Sequence, residues 1–467
     1  MGAHATSIDA AADGNPHREA ARKVARGIDN LPTNGLHLLI ASVCFIGGMI
    51  DSLEIAMTSV LGTVLSSPDQ NVSERELRMV MSSSIAGMTI GTPLFGLLSD
   101  RFGRRALMLP ILAVSGIACI LSGLSPSLTG LAFWRFVCGL GFGGYMAIEV
   151  IYLIENLPAR NRGKWVMGLT CIGGAIGGTG AKLLTRAFND SGPMGLEGWQ
   201  VTLVAGGLAA IPVSFAMLLL PESPRWLASK GRLAAADKVC ARFQASRALV
   251  RSAKTPAMGD TPAAVEQRDP APPTAPANYK IRLALFCTLM FLAAWAISAF
   301  SMLSGIVFTR SGHNTGDALL FSAIALLGTP VGALLGTAII DRFPRPVLLS
   351  VCFGVSAVSG LVFALAAEHA HVVAVAAGFC CSVAGMIIVN GLKLLGGEIF
   401  PTASRGVTGG VGFATNRVGA LLVPLALLPL LYAVGHVVVF VLISATLVGA
   451  ALLVLSLPRN TTGRSID

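Results

Sequence analysis

Asp51 and Glu54 stand three residues apart inside one long apolar stretch, and Arg135, Glu149, Lys393 and Arg417 stand inside others. A charge surrounded by hydrocarbon is expensive, so each of these side chains needs a reason to be there. The spacing of three puts Asp51 and Glu54 on one helix face. A carboxylate shielded from water favours its protonated form and a neighbouring arginine favours the ionised one, so moving the arginine switches proton affinity. Counting ~1.5 Å per residue, Asp51 lies roughly 20 Å along its stretch and Arg135 roughly 10 Å into its own from the other side, comparable depths at which the two are expected to pair. A static brace between them is the alternative to a proton switch. Arg417 follows Arg405 by twelve residues, which is roughly 18 Å and near a membrane midplane. Lys393 and Arg417 facing one cavity require a counter-anion, most simply a substrate carboxylate. The competing expectation is an internal ion pair between Glu149 and Lys393, which would leave Arg417 unanswered.

The elements that must position these charges are membrane helices. The chain has 467 residues, 54% hydrophobic and 12% charged, with a mean hydropathy of +0.72, and its apolar stretches exceed what a water-soluble core buries. Twelve spans are expected: 37–63, 79–99, 106–125, 128–154, 164–186, 200–220, 281–308, 317–340, 346–367, 371–396, 405–433 and 437–457. Each is long enough to cross as a helix, which satisfies its own backbone. The expected division is a tail over 1–36, a six-helix bundle over 37–220, a central loop over 221–280, a second bundle over 281–457 and a tail over 458–467. Within the loop, 253–279 is rich in Pro and Ala and reads as a tether, and 233–247 as an amphipathic surface helix.

Basic residues set the orientation. Arg18, Arg22, Lys23 and Arg26 precede span 1, Arg101, Arg104 and Arg105 follow span 2, Arg160, Arg162 and Lys164 follow span 4, and Arg342 and Arg345 follow span 8. Both termini and the central loop are therefore expected in the cytoplasm, with no cleaved leader. The net charge of +10 is this topology signal and does not point to nucleic acid. The cysteines, as at Cys44, Cys138 and Cys380, fall mostly inside spans without metal spacing and read as small buried hydrophobes. Asn71-Val72-Ser73 is a glycosylation sequon that would matter only in a eukaryote.

The turn SDRFGRR recurs about 240 residues later as DRFPRP, and Glu155 with Arg162 recurs as Glu398 with Arg405. Such duplication is the architecture of an alternating-access transporter. The segments GLLSDRFGRR (96–105), RFVCGLGFGG (135–144), ENLPARNRGK (155–164), PESPRWLASKGR (221–232) and GEIFPTASRG (397–406), in this order over nearly the whole chain, resemble the major facilitator superfamily, especially its sugar-porter and organic-ion or metabolite branches. IDNLPTNGLH (28–37) and TGGVGFATNRVGA (408–420) resemble its niacin-type permeases. The resemblance implies an all-α membrane fold of twelve helices in two pseudo-symmetric halves, working as a monomer without cofactor or metal. It also likens Asp51 and Arg135 to the proton-coupling pair of sugar porters, the spacing of Asp51 and Glu54 to the DxxD of aromatic-acid symporters, and Arg417-Val418-Gly419 to an R-x-G pattern of organic-anion carriers.

Several departures narrow the substrate. Lys393 stands where sugar porters commonly carry an aromatic residue, and a glutamine pair is missing from FLAAWAISAFSML (291–303). Gln70, Gln200, Gln244 and Gln267 all lie in loops or at a span end, leaving Asn390 and Asn416 as the amides within spans, so sugar is not expected. Tyr145 and Trp295, near mid-span, are candidates to stack on an aromatic ring, although packing is the commoner use. Gly173, Gly174, Gly177, Gly178 and Gly180 on span 5 suit close helix packing and lack the proline of many drug antiporters.

At the cytoplasmic side, Asp100 is expected to accept from backbone donors of a neighbouring helix, and Arg101, Arg104 and Arg105 to pair with Glu155 or Glu222. With Arg162 and Arg225, and with Asp341, Arg342, Glu398 and Arg405 of the second half, these form a latch that would hold that face shut. The second-half latch is weaker, since span 12 ends in Leu457-Pro458-Arg459 without an acidic residue. The alternative is that the arginines only fix topology and bind anionic lipid. The expected activity is uptake of a small organic anion with protons across an inner membrane, Asp51, Glu54 and Arg135 handling the proton and Lys393 and Arg417 holding the anion. Antiport in the export direction, uniport and a non-transporting nutrient sensor are the alternatives. No nucleophile with base, metal cluster or phosphate loop suggests an enzyme.

Overall fold

A computed structural model describes residues 24, 27–29, 31–158, 162–189, 192–246, 279–340, 342–400 and 405–456. The first half comprises α1 (Gly35–Leu65), α2 (Glu74–Phe102), α3 (Arg104–Gly123), α4 (Leu128–Asn156), α5 (Arg162–Ala187) and α6 (Gly198–Ala216). Two short helices follow, α7 (Pro224–Ser229) and α8 (Leu233–Ala245). The second half comprises α9 (Tyr279–Arg310), α10 (Thr315–Ile339), α11 (Arg345–Ala366), α12 (His371–Ile399), α13 (Arg405–Leu422, continued to Val434) and α14 (His436–Leu455). Among the described residues eleven helices are long and apolar enough to cross a membrane. The twelfth, α5, has the length at 26 residues and is less apolar because of its glycines, Lys182 and Arg186. The helices coincide with the expected spans to within a few residues. The tether up to residue 278, Asp341 and both chain ends (1–23 and 457–467) lie outside the described residues.

The ends are set by local chemistry. Asn34 accepts from the His37 backbone at 3.1 Å while His37 accepts from the Asn34 backbone at 3.2 Å, a reciprocal cap on α1. Ser73 and Glu76 do the same for α2, and Asn314 caps α10 through the Asp317 N–H at 2.7 Å. Two helices carry a one-turn π-bulge, α9 at Trp295–Ala299 and α13 at Val423–Leu427.

Glycines bring helices together within each half. On the crossing of α2 and α4, a Cβ at Gly143 would lie 2.6 Å from the Met88 Cα, and Cβ atoms at Gly87, Gly91 and Gly139 would likewise run into backbone of the facing helix. The corresponding helices of the second half, α10 and α12, repeat this with Gly328 against Phe379 and Gly332 against Val383. With lipid as apolar as the side chains, such close backbone approach is what holds these pairs. The two halves meet mainly toward the ends of the helices remote from the Arg104 turn. There Ser59 donates to the Ser301 carbonyl at 2.6 Å, and Gly305 lies against Thr63.

Gly139→Ala should lower the stability of the purified protein by about 1–3 kcal/mol, because its methyl group meets Ser84 backbone that cannot move aside. Gly449→Ala, with nothing within 4 Å of its added Cβ, should leave the thermal unfolding midpoint unchanged.

Candidate functional site

Arg135 and Glu54 are both fully buried and meet at 2.6 Å between Nη1 and Oε1. Arg135 also donates to the Thr58 hydroxyl at 2.8 Å, and Ser84 of α2 donates to the same Glu54 oxygen at 3.0 Å. The expected pairing of Arg135 with Asp51 therefore gives way to Glu54. One helical turn separates the two acids, and the turn nearer Arg135 carries Glu54. Cys119 and Cys138 bring their thiols within 4.8 Å of Glu54, but a carboxylate already bonded to Arg135 and Ser84 is poorly placed to ligate an ion as well.

Asp51 is 5% exposed, and its Oδ1 has no hydrogen-bond partner among the described residues. The charges that bear on it are Arg417, first, and Glu54. Arg417, half-buried on α13, reaches across to α4 of the other half, where Nη2 lies 3.1 Å from the Met146 sulfur. Among the described residues no carboxylate comes within salt-bridge distance of it. Lys393 of α12 adds its charge to Arg417. Its ammonium sits over the Phe413 ring, 5.0 Å from the centroid, and the residue is exposed, a cation–π contact that leaves donors free. Asp51 from the first half thus bears on Arg417 from the second, and Lys393 adds a second positive charge beside Arg417.

The expected ion pair between Glu149 and Lys393 does not form. Glu149 is 3% exposed, lies beside Gly48 of α1 and bears on Asp51 and Tyr145, because α4 turns it inward to α1. Tyr145 is fully buried against Gly47, with its hydroxyl unpartnered among the described residues, so its ring does not line an open surface. Trp295 in the α9 bulge donates to the Gly419 carbonyl at 3.1 Å, and Asn416 donates to the Met290 carbonyl at 2.8 Å. Both polar groups brace α9 against α13. Asn390 is buried on α12 at 8% exposure.

At the basic end the cap predicted for Asp100 is supplied by Glu222. Its carboxylate accepts from the backbone N–H groups of Arg104 at 3.0 Å, Arg105 at 3.1 Å and Ala106 at 3.3 Å, where a helix start favours an anion. Asp100 instead meets the Arg104 side chain at 2.8 Å. Arg104 holds Glu155 through two bonds of 3.1 Å and the Ser99 carbonyl at 2.9 Å. Among the described residues the Arg105 side chain finds no acid, and it donates to the Met217 and Leu218 carbonyls that end the sixth span. Arg101 is exposed over Phe102, and Arg225 turns to Asp29 at 2.5 Å. Arg342 is exposed. Arg345, not among the expected latch residues, repeats Arg104 by donating to the carbonyl five residues back, that of Ile340. The side chains of Arg162, Glu398 and Arg405, like Asp341, lie outside the described residues. Among the described residues these contacts stay within one half, so they brace the bundle and do not tie the halves together.

Lys182 is a buried charge that the sequence reading does not single out, because it lies close to the end of its span beside Arg186. It is 1% exposed, and its ammonium donates to the Ser322 carbonyl of α10 at 3.4 Å. Its spacing of four from Arg186 is the signal that could have found it.

A family model described as "Sugar (and other) transporter" matches residues 38–467. The niacin transporter NiaP of Acinetobacter baylyi is 25% identical over 452 residues, covering 94% of this chain and 98% of the relative. The 4-hydroxybenzoate transporter PcaK of the same organism is 32% identical over 209 residues, 44% of each chain. The xylose transporter XylE from E. coli, in a partially occluded inward-open conformation, superposes with a TM-score of 0.67 at 19% identity, over 92% of this chain and 100% of the other.

Removing one partner of the Glu54 and Arg135 pair leaves a buried charge unanswered. Arg135→Gln should cost about 3–5 kcal/mol of stability, and adding Glu54→Gln should restore most of it. A double-mutant cycle on thermal unfolding of the purified protein measures this.

Proposed function

The chain belongs to the sugar (and other) transporter family of the major facilitator superfamily, and on that footing we propose that it carries a small organic anion, an aromatic carboxylate first among them, into the cell together with protons. It is a multi-pass membrane transporter and not an enzyme. The basic turns face the cytoplasm of a bacterial inner membrane in this reading, by the asymmetry of Lys and Arg between the two ends.

The observation that carries the substrate class is Arg417. It is a guanidinium at mid-membrane, reaching from the second half onto Met146 of the first, with Lys393 adding its charge and Asp51 the acid that bears on it. Glu54 and Arg135 are already balanced by each other, so the proton-accepting role falls to Asp51. While Asp51 is ionised it offsets Arg417. Once Asp51 takes a proton, Arg417 has lost its counter-charge and a substrate carboxylate can take that place, with the bidentate geometry a guanidinium favours. Proton or anion alone leaves a net charge between the halves as they close, while both together do not. Coupling is then a consequence of charge balance, and the halves rock only when it is met.

Two further facts favour an aromatic carboxylate over a sugar. Asn416 is engaged by the Met290 carbonyl, and the glutamines are remote from the spans' interiors, so few amides remain for sugar hydroxyls. The relatives named for niacin and 4-hydroxybenzoate carry ligands that are both small aromatic carboxylates.

In proteoliposomes, adding nicotinate, benzoate or 4-hydroxybenzoate should draw protons inward and make the outside alkaline. Arg417→Ala should weaken apparent affinity at least about tenfold. Asp51→Asn should abolish the proton movement while substrate exchange across the membrane persists. Proton flux driven by neutral or cationic compounds and by no carboxylate, or an Arg417→Ala affinity equal to that of the unaltered chain, overturns the reading.

A further inference from the structure

The seam between α5 and α10 holds two cations with opposite surroundings. At its rim, Arg186 meets Asp317 at 3.7 Å, the side chains being 40% and 42% exposed. Both residues line a surface cavity of about 950 Å³ shared by the halves, so this pair is wet and weak. One turn deeper on the same helix face is Lys182, 1% exposed. Its ammonium, which has three protons to donate, has one acceptor among the described residues, the Ser322 carbonyl at 3.4 Å. Among the described residues no carboxylate lies within salt-bridge distance of Lys182, and no acid bears on it.

This is an unfavourable place for an amine, and the penalty belongs to one conformation. Ser322 is on the opposite half, as are the other groups that close this side: Ser301 bonded to Ser59 and Gly305 against Thr63. When the halves part here, Lys182 gains water from the widening seam. When they close, the seam must bury a charge or strip a proton, and either cost falls on the closed state alone.

We propose that Lys182 is a positioning residue that opposes closure of the side remote from the basic turns and so keeps the closed and open states near enough in free energy for the transporter to cycle. The inference rests on alternating access but not on the substrate being an anion or on proton coupling. It differs in sign from the obvious reading of Lys182 as a latch bonding the halves together.

The test needs no substrate. Thr63→Cys, packed against Gly305 across the seam, reports opening when a membrane-impermeant maleimide is applied from the side remote from the basic turns. Labelling rates are taken relative to the chain without the added cysteine, in membranes containing the full-length protein. Lys182→Met keeps the volume and removes the amine, so it should slow labelling at least about tenfold. Lys182→Gln, which keeps a polar group with fewer demands, should fall between. Faster labelling in Lys182→Met would make Lys182 a latch, and an unchanged rate would make it inert filling, and either overturns the proposal. A reporter that never labels in the otherwise unaltered chain overturns alternating access as well, because a seam that stays shut gives Lys182 nothing to oppose. Melting temperatures of the variants confirm that the comparison is between folded proteins.

Discussion

Inside a bilayer an ionised side chain has no water to answer it, so it must find its counter-charge within the bundle or stay neutral. Glu54 and Arg135 find their counter-charge in each other: they meet at 2.6 Å, fully buried, with Thr58 accepting from Arg135 and Ser84 donating to Glu54. That pair fixes how α1 lies against α4. Because Asp51 is one turn from Glu54, the same contact decides that Asp51 is left over. Among the described residues the positive charge that bears on it is Arg417 of the second half. The rigid pair inside one half thus creates the incomplete pair between the halves, on which the proposed coupling of proton and anion rests.

The same contrast runs along the membrane normal. At the basic end the bonds are many and charge-assisted, and among the described residues they stay within a half: Glu222 on the start of α3, Arg104 on Glu155, Arg105 on the end of the sixth span. At the other end the contacts crossing the seam are fewer and more neutral, a serine hydroxyl on a carbonyl, a glycine against a threonine, one solvated ion pair. A half braced by bidentate arginines and glycine crossings is built to move as a body in the proposed cycle. A seam of small residues can close and part without breaking that body. Lys182 is the exception in the seam, and its poor coordination fits a closure that is not permanent.

The π-bulges in α9 and α13 belong to this picture. Each adds a residue to a turn next to the charged centre, and Trp295 in one of them reaches the Gly419 carbonyl two residues beyond Arg417. Groups that look available in the sequence, the indole of Trp295 and the amide of Asn416, are used to hold α9 on α13. Neither group is then left over beside Arg417, and the proposal of a charged ligand over one that needs many neutral hydrogen bonds draws on this.

The twelve spans and the duplication were legible in the sequence because a segment that crosses lipid must be apolar over its whole length, whatever it packs against. The basic turns were legible for the same reason, as a local pattern with a local cause. The sequence also marked Asp51, Glu54, Arg135, Glu149, Lys393 and Arg417 as charges within spans, since position along an apolar stretch is read from the chain alone. Their partners were a different matter. Asp51 and Glu54 differ by one turn, and only the rotation of α1 against α4 gave Arg135 to Glu54. Glu222 capped α3 in place of Asp100 because the chain after the sixth span folds back beneath that helix start. Lys182 is close to the end of its span, and only the packing of α10 against it makes it a buried charge. Length and polarity are properties of a segment and are written in it. Pairing depends on the relative rotation and contact of segments remote in the chain, and these exist only once the helices have packed.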